Sequence, residues 1–118
     1  MKSAPCVFCK IIAGEIPSPR IFEDEACIVI RDIHPQAPTH LLVIPKKHVR
    51  DLDQAFEGGI VRSGSELLGQ IHFAAHEAAK ACGITQYRAI INSGKSVGQT
   101  VFHLHLHVLG GEEMGERL

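Results

Sequence analysis

The stretch "VFHLHLHVLGG", residues 101–111, places three histidines at alternating positions near the end of the chain. A period of two is the side-chain period of a β-strand, so His103, His105 and His107 are predicted to project from one face. Along such a strand the imidazoles would lie about 7 Å apart. A row of this kind indicates a metal site or a catalytic site rather than three solvated side chains. The apolar residues between them are predicted to face a core: Leu104, Leu106 and Val108.

The composition predicts one globular domain over residues 1–118. A net charge of −1 with neutral histidines gives no electrostatic reason to bind nucleic acid or an anionic membrane. No apolar run approaches the about 20 residues of a membrane-spanning helix, and the first residues lack the apolar stretch of a secretory signal. We therefore expect a cytoplasmic protein with neither nucleic acid nor membrane as a partner.

Hydrophobic periodicity predicts an antiparallel α+β domain with about five strands, one long helix and one short helix. The long helix precedes the last two strands, and the alternation typical of parallel βαβ units is absent. The predicted strands cover residues 20–23, 27–31, 40–44, 87–92 and 102–110, and the predicted helices cover 63–82 and about 52–58.

The loop "NSGKSVGQT", residues 92–100, directly precedes the histidine row. Its "GKS" does not belong to a P-loop, because Ala89 stands where that motif needs its first glycine and a strand follows. Gly94 and Gly98 would still let the backbone approach an anion closely. With the nearby side chains of Asn92, Gln99 and Thr100, the loop is predicted to hold phosphate beside the imidazoles.

The N-terminal "CVFC", residues 6–9, is a C-x-x-C pair that supplies half of a tetrahedral zinc site. The chain has no second C-x-x-C, so histidines would have to complete the site. His48 and one histidine of the row are candidates, although no standard zinc-finger spacing is present. The residues alone are equally compatible with two free thiols.

The histidine row and its surroundings resemble the histidine triad family. "HLHLHVL", residues 103–109, matches the family pattern H-φ-H-φ-H-φ-φ, in which φ is apolar. "FEDEACIVIRDIHPQAPTHLLVIPKKH" and "NSGKSVGQTVFHLHLHVLGG" are similar to the branch of histidine triad nucleotide-binding proteins. The resemblance covers about residues 6–111 and departs mainly at residues 51–65 and in the C-terminal tail.

The resemblance implies a homodimer with joined sheets that cleaves phosphoramidates of purine nucleoside monophosphates. Matched by position, His105 is the implied nucleophile that forms a nucleotidyl-histidine, His107 contacts phosphate, and His40 supports proton transfer. Asp32, with Ile33 beside it, matches the residue that holds the ribose hydroxyls. The other implied substrate contacts are the wall of the base pocket and the phosphate loop: Val7, Phe8, Ile11, Asn92, Gly98, Gln99 and Thr100.

The resemblance also implies a complete metal site. Family members with an N-terminal C-x-x-C hold zinc through both cysteines, the histidine of "PKKH" and the first triad histidine. The implied ligands here are Cys6, Cys9, His48 and His103. Two thiolates and two imidazoles form a closed tetrahedral set, so the implied Zn²⁺ is structural.

Three other functions remain open at this level. A dinucleoside polyphosphate hydrolase belongs to the same family, although "HLHLHVLGG" fits the phosphoramidase branch better. A nucleotide-binding or zinc-stabilised interaction module is a second alternative, against which the intact His105 and His40 argue. A hydrolase with a catalytic zinc bound by all three histidines of the row is the third.

Overall fold

A computed structural model describes residues 6–59 and 61–116 of this chain and shows a five-stranded antiparallel sheet with helices on both faces. Residues 1–5, 60 and 117–118 of the predicted single domain lie outside the described residues. The strands are β1 Arg20–Glu23, β2 Cys27–Arg31, β3 Thr39–Pro45, β4 Tyr87–Ile90 and β5 Leu106–Gly110. The helices are α1 Val7–Ile12, α2 Leu52–Ala55 and α3 Val61–Ala81, with short 3-10 turns at Glu57–Gly59 and Lys95–Val97.

The strands lie side by side in the order β1-β2-β3-β5-β4, and each neighbouring pair is antiparallel. The hairpin between β1 and β2 turns where the sequence predicts it. There the Asp24 carboxylate accepts hydrogen bonds from the backbone N–H groups of Ala26 and Cys27, at 2.9 and 2.8 Å. This local bond fixes the turn, because an aspartate that bonds the backbone two residues ahead favours a tight reversal.

One face of the sheet packs against α3. One side of this helix is apolar and buried: Leu67, Ile71, Ala74, Ala75, Ala78 and Ala79. They meet the alternate strand residues that point to the same side, among them Val29, Leu41 and Val108. This core holds β3 and β5 in place beneath the histidine row.

The opposite face is partly covered by α1, which the sequence analysis did not predict. Phe8 and Ile11 of this six-residue helix pack against Ile28, Leu42 and Ile44. The signals for this helix are present but short. Apolar residues recur at the helical spacing, and Gly14, with a positive φ of 81°, follows the last turn.

The predicted fold class is confirmed: the chain forms an α+β domain with a five-stranded antiparallel sheet and one long helix. The strands predicted at 20–23 and 27–31 have the observed bounds, and the short helix predicted near 52–58 is α2 with the turn that follows it. The last strand differs most, because it begins at Leu106 and not near residue 102. Among the described helices, none is long and apolar enough to cross a membrane.

Candidate active site

The histidine row lies across the beginning of β5, so only His107 belongs to a regular strand. The prediction that one strand carries all three histidines is therefore wrong for His103 and His105. The physical reason is Pro45 at the end of β3, which has no N–H to continue the ladder. Its carbonyl oxygen is 2.7 Å from His103 Nε2, so it accepts a hydrogen bond from the imidazole.

The alternation of side chains nevertheless continues through this segment. Leu104, Leu106 and Val108 all lie in the core beneath α3, as predicted from their spacing. The backbone of Leu104 donates to Val49 O at 2.7 Å, which replaces the missing strand pairing. The histidines between these core residues therefore face away from α3.

The first cluster of side chains lies beside the N-terminus of α1 and consists of Cys6, Cys9, His48 and His103. His103 Nδ1 is 3.5 Å from Cys6 Sγ, 3.7 Å from Cys9 Sγ and 3.0 Å from His48 Nδ1. Cys9 Sγ is 3.2 Å from His48 Nδ1. The structure thus brings together all four residues that the resemblance implies as metal ligands.

This donor set fits a zinc ion. Ligand atoms of a tetrahedral zinc site lie about 3.3–3.8 Å apart, given the usual Zn–N and Zn–S bond lengths. The distances of 3.0 to 3.7 Å in the cluster are close to that range. His103 donates its Nε2 proton to Pro45 O, so its Nδ1 presents a lone pair to the other donors. Burial also lowers the pKa of His103 to about 4, which keeps this ring neutral near pH 7.

The second cluster lies on the other side of His105 and consists of Asp32, His40 and His107. His40 Nε2 is 2.9 Å from His107 Nδ1 and 3.4 Å from Asp32 Oδ2. The backbone N–H of Gln36 donates to His40 Nδ1 at 3.0 Å. Neutral His40 therefore carries its proton on Nε2, where His107 Nδ1 accepts it and the Asp32 carboxylate lies nearby.

The tautomer of His107 follows from that of His40. Since His40 Nε2 donates to His107 Nδ1, neutral His107 carries its own proton on Nε2. Burial is the main cause that lowers the pKa of His107 to about 4, and the neighbouring His105 and His40 lower it further. His107 thus offers an N–H donor on the side away from His40.

His105 lies between the two clusters, and its environment leaves one nitrogen free. Its Nδ1 donates to the carbonyl oxygen of His103 at 2.8 Å, so the lone pair of the neutral ring is on Nε2. Burial lowers its pKa, which maintains the unprotonated form near neutral pH. The Phe8 ring contacts His105 edge to face with a centroid distance of 5.0 Å. A neutral, oriented imidazole of this kind can act as a nucleophile.

The three imidazoles of the row do not converge on one point. His103 belongs to the cysteine cluster, His107 belongs to the cluster with Asp32, and His105 bonds a backbone carbonyl between them. The row is therefore divided into three different environments.

The residues predicted to form the base pocket are not equally buried. Phe8 and Ile11 are buried on the inner side of α1, whereas Val7 is exposed on its outer side. Ile33 is 86 % exposed, so most of its side chain is open to solvent. Val7 and Thr100 line the same open groove of about 590 Å³ beside His48.

In the predicted phosphate loop, Gln99 has a different environment from the one expected. Its side chain is buried; its Nε2 donates to Arg50 O and Val101 O, at 2.7 and 3.0 Å, and its Oε1 accepts from Gly94 N at 2.8 Å. These hydrogen bonds of the Gln99 amide stabilise the conformation of the loop. Asn92 is half-buried and Thr100 exposed, while Gly98 has a φ of 99° that favours glycine.

Two contributors to the site were missed by the sequence analysis, and both act through the main chain. The N–H of Gln36 and the carbonyl of Pro45 fix the tautomers of His40 and His103. Since any residue has a backbone carbonyl and almost any has an N–H, residue type carries no signal for these contacts. Only the rigid turn "PQAP" and the proline at the end of β3 mark their places.

Comparisons with known proteins agree on one family. The family model of the HIT domain matches residues 13–114. An uncharacterised HIT-like protein of Synechocystis is 47 % identical over 106 residues, which cover 89 % of either chain. A solved HIT family hydrolase from Clostridium thermocellum is 46 % identical with a TM-score of 0.89 and covers 99 % of both chains. A second solved HIT family hydrolase, from Legionella pneumophila, is 46 % identical with a TM-score of 0.82 and covers 92 % of this chain and 95 % of that one.

Proposed function

Since this chain belongs to the HIT family, we propose that it is a nucleotide-binding hydrolase that cleaves phosphoramidates of purine nucleoside monophosphates. The solved relatives named as HIT family hydrolases support the hydrolase part of this proposal. The observation that carries it is the orientation of His105, whose Nδ1 is bound to the His103 carbonyl while Nε2 keeps its lone pair.

In the first step, His105 Nε2 attacks the α-phosphorus and the P–N bond to the amine breaks. The product is a nucleotidyl-histidine, whose imidazolium charge is stabilised because Nδ1–H donates to the His103 carbonyl. The amine leaves with a proton, which we assign to the His40–His107 pair. To act as this acid the pair carries one proton more than in the free protein, and the negative charge of the bound phosphate favours that form.

In the second step, water attacks the phosphorus and releases the nucleoside monophosphate and free His105. The His40–His107 pair accepts the proton that the water loses, which restores the starting state. Between the steps, His107 Nε2–H and the backbone around Gly98 donate to the phosphate oxygens, where negative charge is concentrated. Gln99 acts by holding this loop in shape.

The nucleoside is placed by the two ends of α1 and by the turn after β2. Phe8 and Ile11 would form the inner wall of the base pocket, and Ile33 would close over the base from its exposed position. Asp32 would accept hydrogen bonds from the ribose hydroxyls. Asn92 and Thr100 would contact the phosphate and the leaving group.

We assign a structural Zn²⁺ to Cys6, Cys9, His48 and His103. A bound ion would link the beginning of α1 to the segment before β5 through its coordination bonds. The four protein ligands leave no position for water. The ion therefore stabilises the wall of the pocket and takes no part in the chemistry.

We further propose that the protein is a homodimer formed through β4. This strand is at one end of the sheet order, and Ala89 and Ile90 are exposed along it. An exposed strand edge can pair with the same strand of a second copy. A solution mass measurement at micromolar concentration tests this, and a monomer would contradict it.

The enzymatic proposal is tested with an adenosine phosphoramidate and two variants. We expect the wild-type protein to release the amine and to form a trappable adenylyl adduct. His105→Ala should lower turnover at least about 10⁴-fold and form no adduct, because it removes the nucleophile. His76→Ala changes an exposed histidine of α3 and is the matched control, with full turnover expected. Full turnover by His105→Ala would overturn the assignment.

A further inference from the structure

The carboxylate of Asp32 faces His40, although the resemblance to the family implies only a ribose contact for Asp32. Asp32 lies directly opposite His40, since its backbone N–H donates to His40 O at 2.9 Å. Its Oδ1 accepts from the backbone N–H of His34 at 2.7 Å, which fixes the carboxylate plane. Oδ2 is left 3.4 Å from His40 Nε2.

The Nε2 proton of His40 therefore has a hydrogen-bond acceptor, His107 Nδ1 at 2.9 Å, and a carboxylate oxygen nearby, Asp32 Oδ2 at 3.4 Å. The side chain of His40 is 4 % exposed and that of Asp32 is 18 % exposed, so water competes weakly for this proton. A divalent ion does not fit the same three residues. An ion would need the lone pair of His40 Nε2, whereas the Gln36 N–H bond to Nδ1 places the proton there.

We propose that Asp32 is a positioning residue for His40 and, through it, for His107, in addition to being a ribose contact. The inference rests on the proposed function, because the ribose contact presupposes a nucleotide. Asp32 Oδ2 holds the His40 ring with its Nε2–H directed at the cluster. This in turn keeps His107 Nδ1 unprotonated and His107 Nε2–H directed at the phosphate.

A consequence of this double role is that ribose binding and the histidine pair are coupled. A ribose hydroxyl that donates to Oδ2 competes with His40 for the same oxygen. The His40 proton then shifts toward His107, which strengthens that bond when substrate is present. The ribose hydroxyls should thus affect kcat as well as KM.

The experiment separates the two roles with a substrate that lacks the ribose contact. Wild type and Asp32→Asn are compared on an adenosine phosphoramidate and on its 2′,3′-dideoxy analogue. If Asp32 only binds ribose, the substitution has no effect on kcat for the dideoxy substrate. We expect instead that kcat falls on the order of tenfold for that substrate too, because the acid is misplaced. Asp53→Asn, which changes a carboxylate that is 94 % exposed, is the matched control and should change neither value.

A second measurement uses the wild-type protein and needs no turnover. Imidazole ¹⁵N spectra report the tautomers of His40 and His107. We expect adenosine to shift the signals of His40 Nε2 and His107 Nδ1, and 2′,3′-dideoxyadenosine to shift them much less. Equal shifts with both nucleosides, or an unchanged kcat for Asp32→Asn on the dideoxy substrate, would overturn the inference. If no phosphoramidate is cleaved while the selective shift is observed, the proposed reaction is wrong and the positioning of His40 by Asp32 stands.

Discussion

Two contacts between histidines flank His105, and they have nearly the same length. His48 Nδ1 is 3.0 Å from His103 Nδ1, and His40 Nε2 is 2.9 Å from His107 Nδ1. In the first contact, two thiols lie beside the nitrogens, and all four possible ligand atoms lie within 4.8 Å of one another. In the second, the Gln36 N–H donates to His40 Nδ1, and His40 Nε2–H donates to His107 Nδ1.

The two contacts differ in the hydrogen-bond partner of the ring nitrogen that points away from the neighbouring histidine. His103 donates to a carbonyl, which leaves a lone pair for the cluster, whereas His40 accepts from an N–H, which leaves a proton for the cluster. A short distance between imidazoles thus does not define a function. The backbone group behind each ring decides whether the pair can bind a metal or transfer a proton.

The largest expected effect comes from the metal cluster. Cys6→Ala should abolish stoichiometric zinc binding and lower the melting temperature on the order of 10–20 °C, because the cross-link between α1 and His103 is lost. Turnover should survive in part, since His105 keeps its carbonyl bond. Metal analysis with calorimetry measures this, and Cys82→Ala is the control for loss of a thiol outside the cluster. Full zinc content in Cys6→Ala would contradict the ligand assignment.

The next effect tests the proton chain. His40→Asn should lower kcat about 10²-fold, because an amide cannot exchange a proton with His107. Zinc content should stay at the wild-type level, in contrast to Cys6→Ala. Steady-state kinetics and metal analysis of the same preparation decide this. If His40→Asn lost zinc along with activity, the cysteine cluster would depend on the cluster of Asp32, His40 and His107, which would contradict the prediction.

A smaller effect is expected from pH. The pKa of His107 is about 4 in the folded protein, below its ordinary value of 6.5. The unfolded chain therefore binds more protons in this window, so stability is full above pH 6.5 and falls as the pH drops toward 4. The slope is at most about 1.4 kcal/mol per pH unit for one proton. Urea unfolding of His107→Asn should show a flatter decline than wild type, and equal slopes would contradict the burial of a neutral His107.

The smallest effect concerns Phe8, which contacts both regions. Its ring lies 5.9 Å from that of His103 and 5.0 Å from that of His105, edge to face in each case. Phe8→Leu should cost about 1 kcal/mol of stability, because a branched aliphatic side chain keeps the burial but loses the aromatic contacts. Zinc content should be unchanged and KM should rise more than kcat falls. A large fall in kcat alone would show that Phe8 positions the nucleophile.

The sequence could predict much of this fold because most elements carry their own periodicity. The long helix and the alternation through Leu104, Leu106 and Val108 are confirmed. The start of β5 could not be predicted, because it depends on where Pro45 of a distant strand ends the ladder. Helix α1 was missed because six residues give less than two turns of pattern.

For the site, residue types predicted which side chains gather but not how their protons are arranged. Cys6, Cys9, His48 and His103 meet as the resemblance implies. The contact between Asp32 and His40 has no signature in either residue, since it arises from strand register. Tautomers likewise depend on main-chain partners brought close by folding.

The position of Cys6 at the beginning of α1 has a consequence for how the chain folds during synthesis. Cys6 is synthesised before its partner His103, which is 97 residues further along the chain. A helix of six residues is too short to persist alone in water. Helix α1 is made before the strands on which it packs, and we therefore expect it to dock after the sheet has closed. Until then the thiols of Cys6 and Cys9 remain exposed to solvent.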